Sequence, residues 1–443
     1  MAAEPHAPSY YAATGEGRVY PVLAGECEVE TAVVGGGLAG LTAAFLLARA
    51  GRSVALLEAN RVGWGASGRN GGFVSPGYAQ SIFKVEEKLG LPTAQKLFAL
   101  SRAGGRFVQE RLAEFGMPEV IGGRGWLKVV RHKADRELAE RAERMQRDYG
   151  VTYQIWPREA VRETLRTERY FGALHDPEPY HIDPLAYARA LAEAAAASGA
   201  QVFEASAATG LEKSGSGWRV QSGRGSVSAR HVVLAGSATQ SGVYPPIERA
   251  VLPVATYVVT SAPLGDKLDA AIHFAGCIGD TRRASDYYRI VGTGEERRLL
   301  WGGRITTARE EPAELAAMLK KDILAIYPQL GDFAVEYAWG GLMGYQRSAM
   351  PIIGLLSGRR DAGIWGVTAF GGHGLAQTAA GGNLIAAAIA AGDDTFRLFE
   401  PYLPAFIDRT IGGRNIFGRA ATQFLYWRMQ REDRRLEEAA SAG

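Results

Sequence analysis

The chain has 443 residues, room for two to three domains at about 150 residues each, and its 47% apolar content reads as a globular protein with a large core. Its 50 basic residues against 47 acidic ones, mixed along the chain, argue against a nucleic-acid partner. Two cysteines, Cys27 and Cys277, exclude a disulfide framework and a thiolate metal cluster and suit a reducing cytoplasm; no metal, signal peptide or membrane span is expected.

There are 56 glycines, well above the usual ~7%, and they cluster at 35–40, 63–72, 122–125, 340–344 and 371–374. Clustered glycine beside apolar strands marks backbone that turns tightly or approaches something closely. The β-branched run 29–34 predicts a buried strand. Gly35, Gly37 and Gly40 follow in the spacing G-x-G-x-x-G, and Leu38, Ala39 and the apolar residues to Ala50 predict a helix ended by Gly51. A second strand, 53–57, ends at Glu58 and Ala59. This is the strand, turn, helix, strand and acid of a dinucleotide site: pyrophosphate at the helix N-terminus, ribose hydroxyls on Glu58. An acid there disfavours a 2′-phosphate, and so NADP.

Directly after Glu58 the segment 61–72 is glycine-rich and contains Trp64, Ser67, Arg69, Asn70, Gly71 and Gly72. A plain NAD domain has no need of it. A flavin ring lying along backbone does, with Ser67, Arg69 and Asn70 as expected donors and Gly71 and Gly72 allowing close approach. FAD is therefore the expected cofactor.

At these residues the chain resembles the D-amino-acid-oxidase superfamily of FAD-dependent amine oxidoreductases. Within it, 9–15 (SYYAATG), 57–72 (LEANRVGWGASGRNGG) and Tyr426-Trp427 resemble the branch that oxidises gamma-glutamylputrescine. The resemblance implies a Rossmann-like α/β FAD-binding domain with an inserted, mainly antiparallel substrate sheet. It also implies that Val202 lies toward the adenine and Gly236 near the pyrophosphate.

Further along, 76–115 reads as helix broken at Gly90, 124–131 as a strand, and 134–149 as a surface helix with Glu137/Arg141 and Glu140/Arg144 pairs expected at i,i+4. Asp183 and Pro184 open an alanine-rich helix to Ser198, and 201–203 and 231–234 are strands. Longer strands at 255–260, 287–291 and 299–302 suggest a second, largely antiparallel sheet; a helix over 312–327 follows, and 335–339 begins another strand. A last strand, 364–369, enters Phe370-Gly-Gly-His-Gly-Leu and a helix to Ala391. The expected segments are 1–95, 150–250 and 335–400 for the FAD-binding domain, 96–149 and 251–334 for the substrate domain, and 401–443 for a helical tail. Residues 423–438 are basic and amphipathic and are expected to pack on their own domain.

The chemistry is expected where Gly372, His373, Gly374 and Leu375 place a second helix N-terminus at the flavin. A base-free hydride transfer from a neutral amine to flavin N5 is adequate. It gives an imine that hydrolyses to aldehyde and ammonia, with oxygen the expected acceptor and a quinone or electron carrier left open. His373 is a candidate acid/base. FAD is expected to be noncovalent, because neither cysteine lies near the 370s and 64–72 has no histidine. Tyr288 and Trp339, with Tyr257, Tyr287, Trp301 and Tyr345, are candidate aromatic walls for a cationic amine. In the resembled family a carboxylate-clamping arginine follows Trp-x-Gly-Leu; here that place is Met343, which favours an amine whose carboxylate is distant or absent. Arg347, beside Gln346, is a candidate replacement clamp and keeps a secondary or cyclic amino acid such as pipecolate or sarcosine open. Arg282, Arg283 and Arg289 pose the same question, and Arg304 is expected to be structural. A non-catalytic flavin-binding or redox-sensing role is the alternative of another class.

Overall fold

The computed structural model describes residues 3–240, 242–282, 285–307, 311–356, 363–404 and 416–441. Its strands in chain order are β1 (Gly25–Val34), β2 (Val54–Leu57), β3 (Phe73–Val74), β4 (Ile121–Val130), β5 (Gln154–Pro157), β6 (Gly172–Ile182), β7 (Gln201–Phe203), β8 (Ala208–Ser214) and β9 (Gly217–Ser222), then β10 (Gly225–Leu234), β11 (Leu252–Ser261), β12 (Cys277–Asp280), β13 (Tyr287–Val291), β14 (Arg298–Thr306), β15 (Val335–Tyr345), β16 (Ile352–Leu355) and β17 (Ile364–Thr368).

The β-branched end of β1 is buried on both faces, as is all of β2, which is why they read as unbroken apolar runs. They lie mid-sheet in the order β16-β17-β10-β1-β2-β7, with β8 and β9 extending from β10. β1 runs parallel to β2 and β10, β2 to β7, and β10 to β17. Helix Leu38–Arg49 crosses from β1 to β2 and packs on helices Pro184–Ala197 and Leu375–Ala391. Asp183 caps the former, its carboxylate accepting from the Leu185 and Ala186 amides.

The second sheet has the order β15-β11-β14-β13-β12-β4-β6-β3, with β5 on β6. Its neighbours pair antiparallel except β12 with β4. Side chains alternate between its faces. Tyr257, Val259, Tyr288, Leu299 and Trp301 pack with helix Leu315–Ile326 on one face. Val258, Tyr287, Leu300 and Trp339 pack with Tyr11 and Leu185 on the other, toward the first sheet. The α/β architecture with an antiparallel second sheet is the expected one.

Three details differ from the sequence reading. Strand β6, central to the second sheet, carries Pro177 and Pro179, residues that argue against a central strand. They fall where the β4 to β6 register shifts between Arg124 and Trp126, so the ladder is irregular there. Strands β5 and β6, expected in the cofactor domain, pair in the second sheet, as does β15. Arg144 pairs with Glu86 and Asp148, not with Glu140.

Candidate active site

The turn after β1 is tied by backbone bonds to the neighbouring strands. The Gly35 amide donates to Leu57 O at 2.8 Å, and the Ala235 amide donates to Val34 O at 2.8 Å, so the ends of β1, β2 and β10 meet here. Gly35 has φ +114, and a Cβ on it would lie 2.8 Å from the Ala235 carbonyl carbon. Only glycine fits. Glu58 is held at this end: Oε2 accepts from Gly36 N at 2.7 Å and Oε1 from Asn60 N at 2.9 Å. Burial pushes its carboxyl above the usual range, against those two amides. Ala59 beside it is exposed, Val202 is buried on β7 opposite Leu56, and the Gly236 amide donates to Gln240 Oε1. Gly37 caps the crossover helix without a side chain, and Leu38 N donates to Ser67 Oγ at 3.0 Å. The first-turn amides of a helix have no internal acceptors, which leaves this end suited to an anion.

Segment 64–72 is fixed through three successive carbonyls. Trp339 Nε1 donates to Arg69 O (2.9 Å), Tyr11 hydroxyl to Asn70 O (2.9 Å) and Arg289 Nε to Gly71 O (2.7 Å). A trans peptide points its N–H opposite its C=O. The amides of this stretch therefore face away from those three side chains. The donors expected for a flavin are engaged differently. Asn70 Nδ2 donates to Ala66 O and Ser67 O, and its Oδ1 accepts from Gly72 N. Arg69 lies over the Trp64 ring at 4.3 Å and donates to Trp64 O and Gly340 O. Ser67, Arg69 and Asn70 thus build the loop. Gly71 and Gly72 are likewise packed by protein: a Cβ on Gly71 would lie 2.5 Å from the Tyr287 ring, and one on Gly72 2.6 Å from Arg289 Nη2.

The second helix N-terminus lies after β17. Gly371 and Gly372 have φ +61 and +81, and the Gly371 amide donates to Gly344 O at 2.9 Å, tying this turn to β15. Gly374 caps helix Leu375–Ala391 without a side chain, and Leu375 is buried. His373 has its Nδ1 buried with no hydrogen-bond partner, and burial pushes its imidazole below the usual range. Such a ring is neutral near pH 7.

The substrate candidates separate by face. Tyr288 lies behind the second sheet, stacked on Trp301 at 4.1 Å and hydrogen-bonded to Tyr170 and Tyr327, so it does not face the glycine loops. Its neighbour Tyr287 does. Trp339 is on the right face but only 1% exposed, bonded to the loop it supports. Gln346 is buried and donates to Met350 O, holding a turn. Arg347 is exposed on that turn, unlike a buried clamp. Arg282 joins a buried cluster with Arg131, Asp280 and Asp286, Arg304 pairs with Asp322, and Arg283 lies outside the described residues. Tyr11, which holds the loop, was not singled out as a site residue, although it stands in the 9–15 motif; Arg289 was weighed only as a carboxylate clamp, and it holds the loop instead.

The fold and these two helix N-termini define a dinucleotide-dependent oxidoreductase. The family model "FAD dependent oxidoreductase" matches residues 30–388, and the chain belongs to that family. It is 31% identical to gamma-glutamylputrescine oxidoreductase of Escherichia coli (strain K12), over 92% of this chain and 95% of that one. It is 28% identical to probable oxidoreductase OrdL of Haemophilus influenzae, over 90% and 92%. The crystal structure of glycine oxidase from Geobacillus kaustophilus superposes with a TM-score of 0.72, at 23% identity, over 87% of this chain and 100% of that one. The protein is an FAD-dependent oxidoreductase acting on an amine or amino acid. The residues present fit FAD: Glu58 is held by two amides, the Gly35 turn admits no side chain, and His373 Nδ1 is left without a partner at the second helix end.

Proposed function

We propose that this chain oxidises the terminal amine of an elongated substrate such as gamma-glutamylputrescine, with oxygen as acceptor and in a reducing cytoplasm, which suits its two free cysteines. The observation that carries the reading is Met343. It stands where the resembled family clamps an α-carboxylate, and a Cβ on Gly372 would lie 2.9 Å from its Sδ, so the second helix N-terminus has an apolar neighbour. A buried carboxylate without a cationic partner is strongly disfavoured. The exposed Arg347 does not supply one there.

In this reading Gly35, Gly37, Leu38, Ala39 and Gly40 receive the pyrophosphate, and Glu58 and Ala59 the ribose, with Val202 and Gly236 alongside. Trp64, Ser67, Arg69 and Asn70 shape the loop that, with Gly71 and Gly72, would hold the flavin; the Gly72 amide is taken by Asn70 Oδ1. Gly372, His373, Gly374 and Leu375 form its second contact. FAD held noncovalently supplies the electron-pair acceptor for the C–N bond. The helix starting at Leu375 carries about half a positive charge at its N-terminus and stabilises negative charge there. His373, neutral, neither repels an approaching amine nor donates a proton to it. The imine product hydrolyses to aldehyde and ammonia.

The test is the absorbance of the holoprotein under anaerobic conditions before and after gamma-glutamylputrescine. Bleaching of the flavin bands, reversed by air, is the expected result. Bands that persist with this amine and bleach with pipecolate or sarcosine overturn the substrate. Bands that bleach and do not return in air overturn oxygen as acceptor.

A further inference from the structure

We infer that Lys128 is a specificity-determining cation of the active site, binding a carboxylate that the substrate carries far from its reacting amine. The inference rests on the amine-oxidising reading above and names what the far end of the substrate must contain.

Lys128 lies on β4 with Trp126, on the face turned toward the first sheet; Leu127 and Val129 between and beyond them belong to the opposite core. Phe73 meets Trp126 at 5.9 Å and Tyr287 at 5.8 Å between ring centres. Tyr287 in turn covers Gly71. An aromatic wall therefore runs from the 64–72 loop to Lys128.

The ammonium is held but not saturated. It sits 4.7 Å from the Trp126 ring centre and 4.9 Å from that of Tyr153. Its polar neighbours are Tyr153 hydroxyl at 3.4 Å and Asp176 Oδ2 at 3.6 Å, both beyond full-strength hydrogen-bond length. Of its three N–H donors, one makes the long bond to the Tyr153 hydroxyl and the others have no hydrogen bond among the described residues. The side chain is 19% exposed, whereas Asp176 is buried. Asp176 Oδ1 accepts from Glu178 N, and its Oδ2 accepts no hydrogen bond. Asp176 is thus a sealed counter-ion that aims the ammonium and leaves donors for another anion.

The location sets the length of the substrate. The Phe73 and Trp126 ring centres are 5.9 Å apart and Lys128 Nζ lies 4.7 Å from the latter, so the ammonium is at most about 11 Å from the Phe73 ring. An α-amino acid carries its carboxylate on the reacting carbon and cannot span that. In gamma-glutamylputrescine about nine bonds separate the terminal nitrogen from the α-carbon, ~11 Å of extended chain at ~1.2 Å per bond.

The experiment compares gamma-glutamylputrescine with putrescine, which keeps the amine and lacks the carboxylate, as reductants of the wild-type, K128M and K128R holoproteins. Wild type is expected to prefer the former in kcat/KM. K128M should lower that preference about 10- to 100-fold, mainly through KM, the size of one charge-assisted hydrogen bond, and K128R should restore part of it. Calorimetric affinity for gamma-glutamylbutylamide, which has the carboxylate and no reacting amine, should fall by a similar factor in K128M. K128Q serves in place of K128M where flavin content shows misfolding. A flavin-loaded variant with unchanged preference and affinity overturns the inference and leaves the proposed function standing. A wild-type protein that neither amine reduces overturns both.

Discussion

Arg289 Nε donates to Gly71 O at 2.7 Å, joining the second sheet to the loop on which the cofactor reading depends. The same guanidinium donates to Ile182 O, to the Tyr11 hydroxyl and to His181 Nδ1, and is 3% exposed. An arginine candidate for substrate binding thus proves fully engaged with protein. Methionine at this position leaves several buried acceptors unpaired at about 1–3 kcal/mol each. R289M is expected to lower the melting temperature and the flavin-to-protein absorbance ratio together, with R289K intermediate because lysine cannot fork. An R289M protein that melts normally and keeps full flavin would remove Arg289 from the support of the loop.

His181 beneath it carries a pH signature. Burial, and next the Arg289 charge, push its imidazole down to about 3. Arg289 Nη1 donates to Nδ1 at 2.6 Å, and Nε2 lies 2.9 Å from both the Gly123 amide and Ala275 O, so a proton added to the ring meets the arginine's charge. The folded state therefore resists protonation while the unfolded state takes up a proton near pH 6.5. Stability from this group is complete above pH 6.5 and declines as pH falls toward 3, by at most ~1.4 kcal/mol per pH unit. Urea midpoints at pH 7 and pH 5 should separate more for wild type than for H181Q, whose amide does not titrate. Equal separation in both proteins would show that other groups set the acid limb.

The glycine of the loop gives a third test. A Cβ on Gly71 would lie 2.5 Å from the Tyr287 ring, so the glycine is required by protein packing. G71A should destabilise by about 1–3 kcal/mol, and pairing it with Y287V should recover much of that. The measurement is a double-mutant cycle in denaturant. Strict additivity of the two substitutions would mean that the ring is not what excludes a side chain at Gly71.

The first sheet was legible because its strands are buried on both faces and its turn residues are spaced by the ligand they serve. β1, its crossover helix, β2 and Glu58 all lie where their sequence places them. The second sheet was less so. Tyr287 and Tyr288 are adjacent aromatics on one strand, and alternation sends them to opposite faces. Composition does not say which face looks at the cofactor. Arg69 and Asn70 have the donors a flavin needs, yet those donors close the loop on itself, and Ser67 Oγ accepts from the Leu38 amide, choices set by backbone geometry. Lys128 carried no local motif; its place follows from strand pairing across distant segments.

Glu58 offers the most direct test of the cofactor site. Its two oxygens accept from Gly36 N and Asn60 N, and each keeps capacity for a ribose hydroxyl. Glutamine at this position turns an NH2 group toward one of those amides, donor against donor. E58Q should weaken FAD binding about 10- to 100-fold, read by fluorescence quenching on titrating apoprotein with FAD. Burial raises the Glu58 carboxyl, so it takes up a proton at higher pH than an ordinary glutamate. The protonated form has lost an acceptor. FAD affinity in wild type should therefore begin to fall, as pH is lowered, before the ordinary carboxylate range is reached, and E58Q should lack that decline. Parallel pH profiles for the two proteins would show that Glu58 does not hold the ribose through its charge.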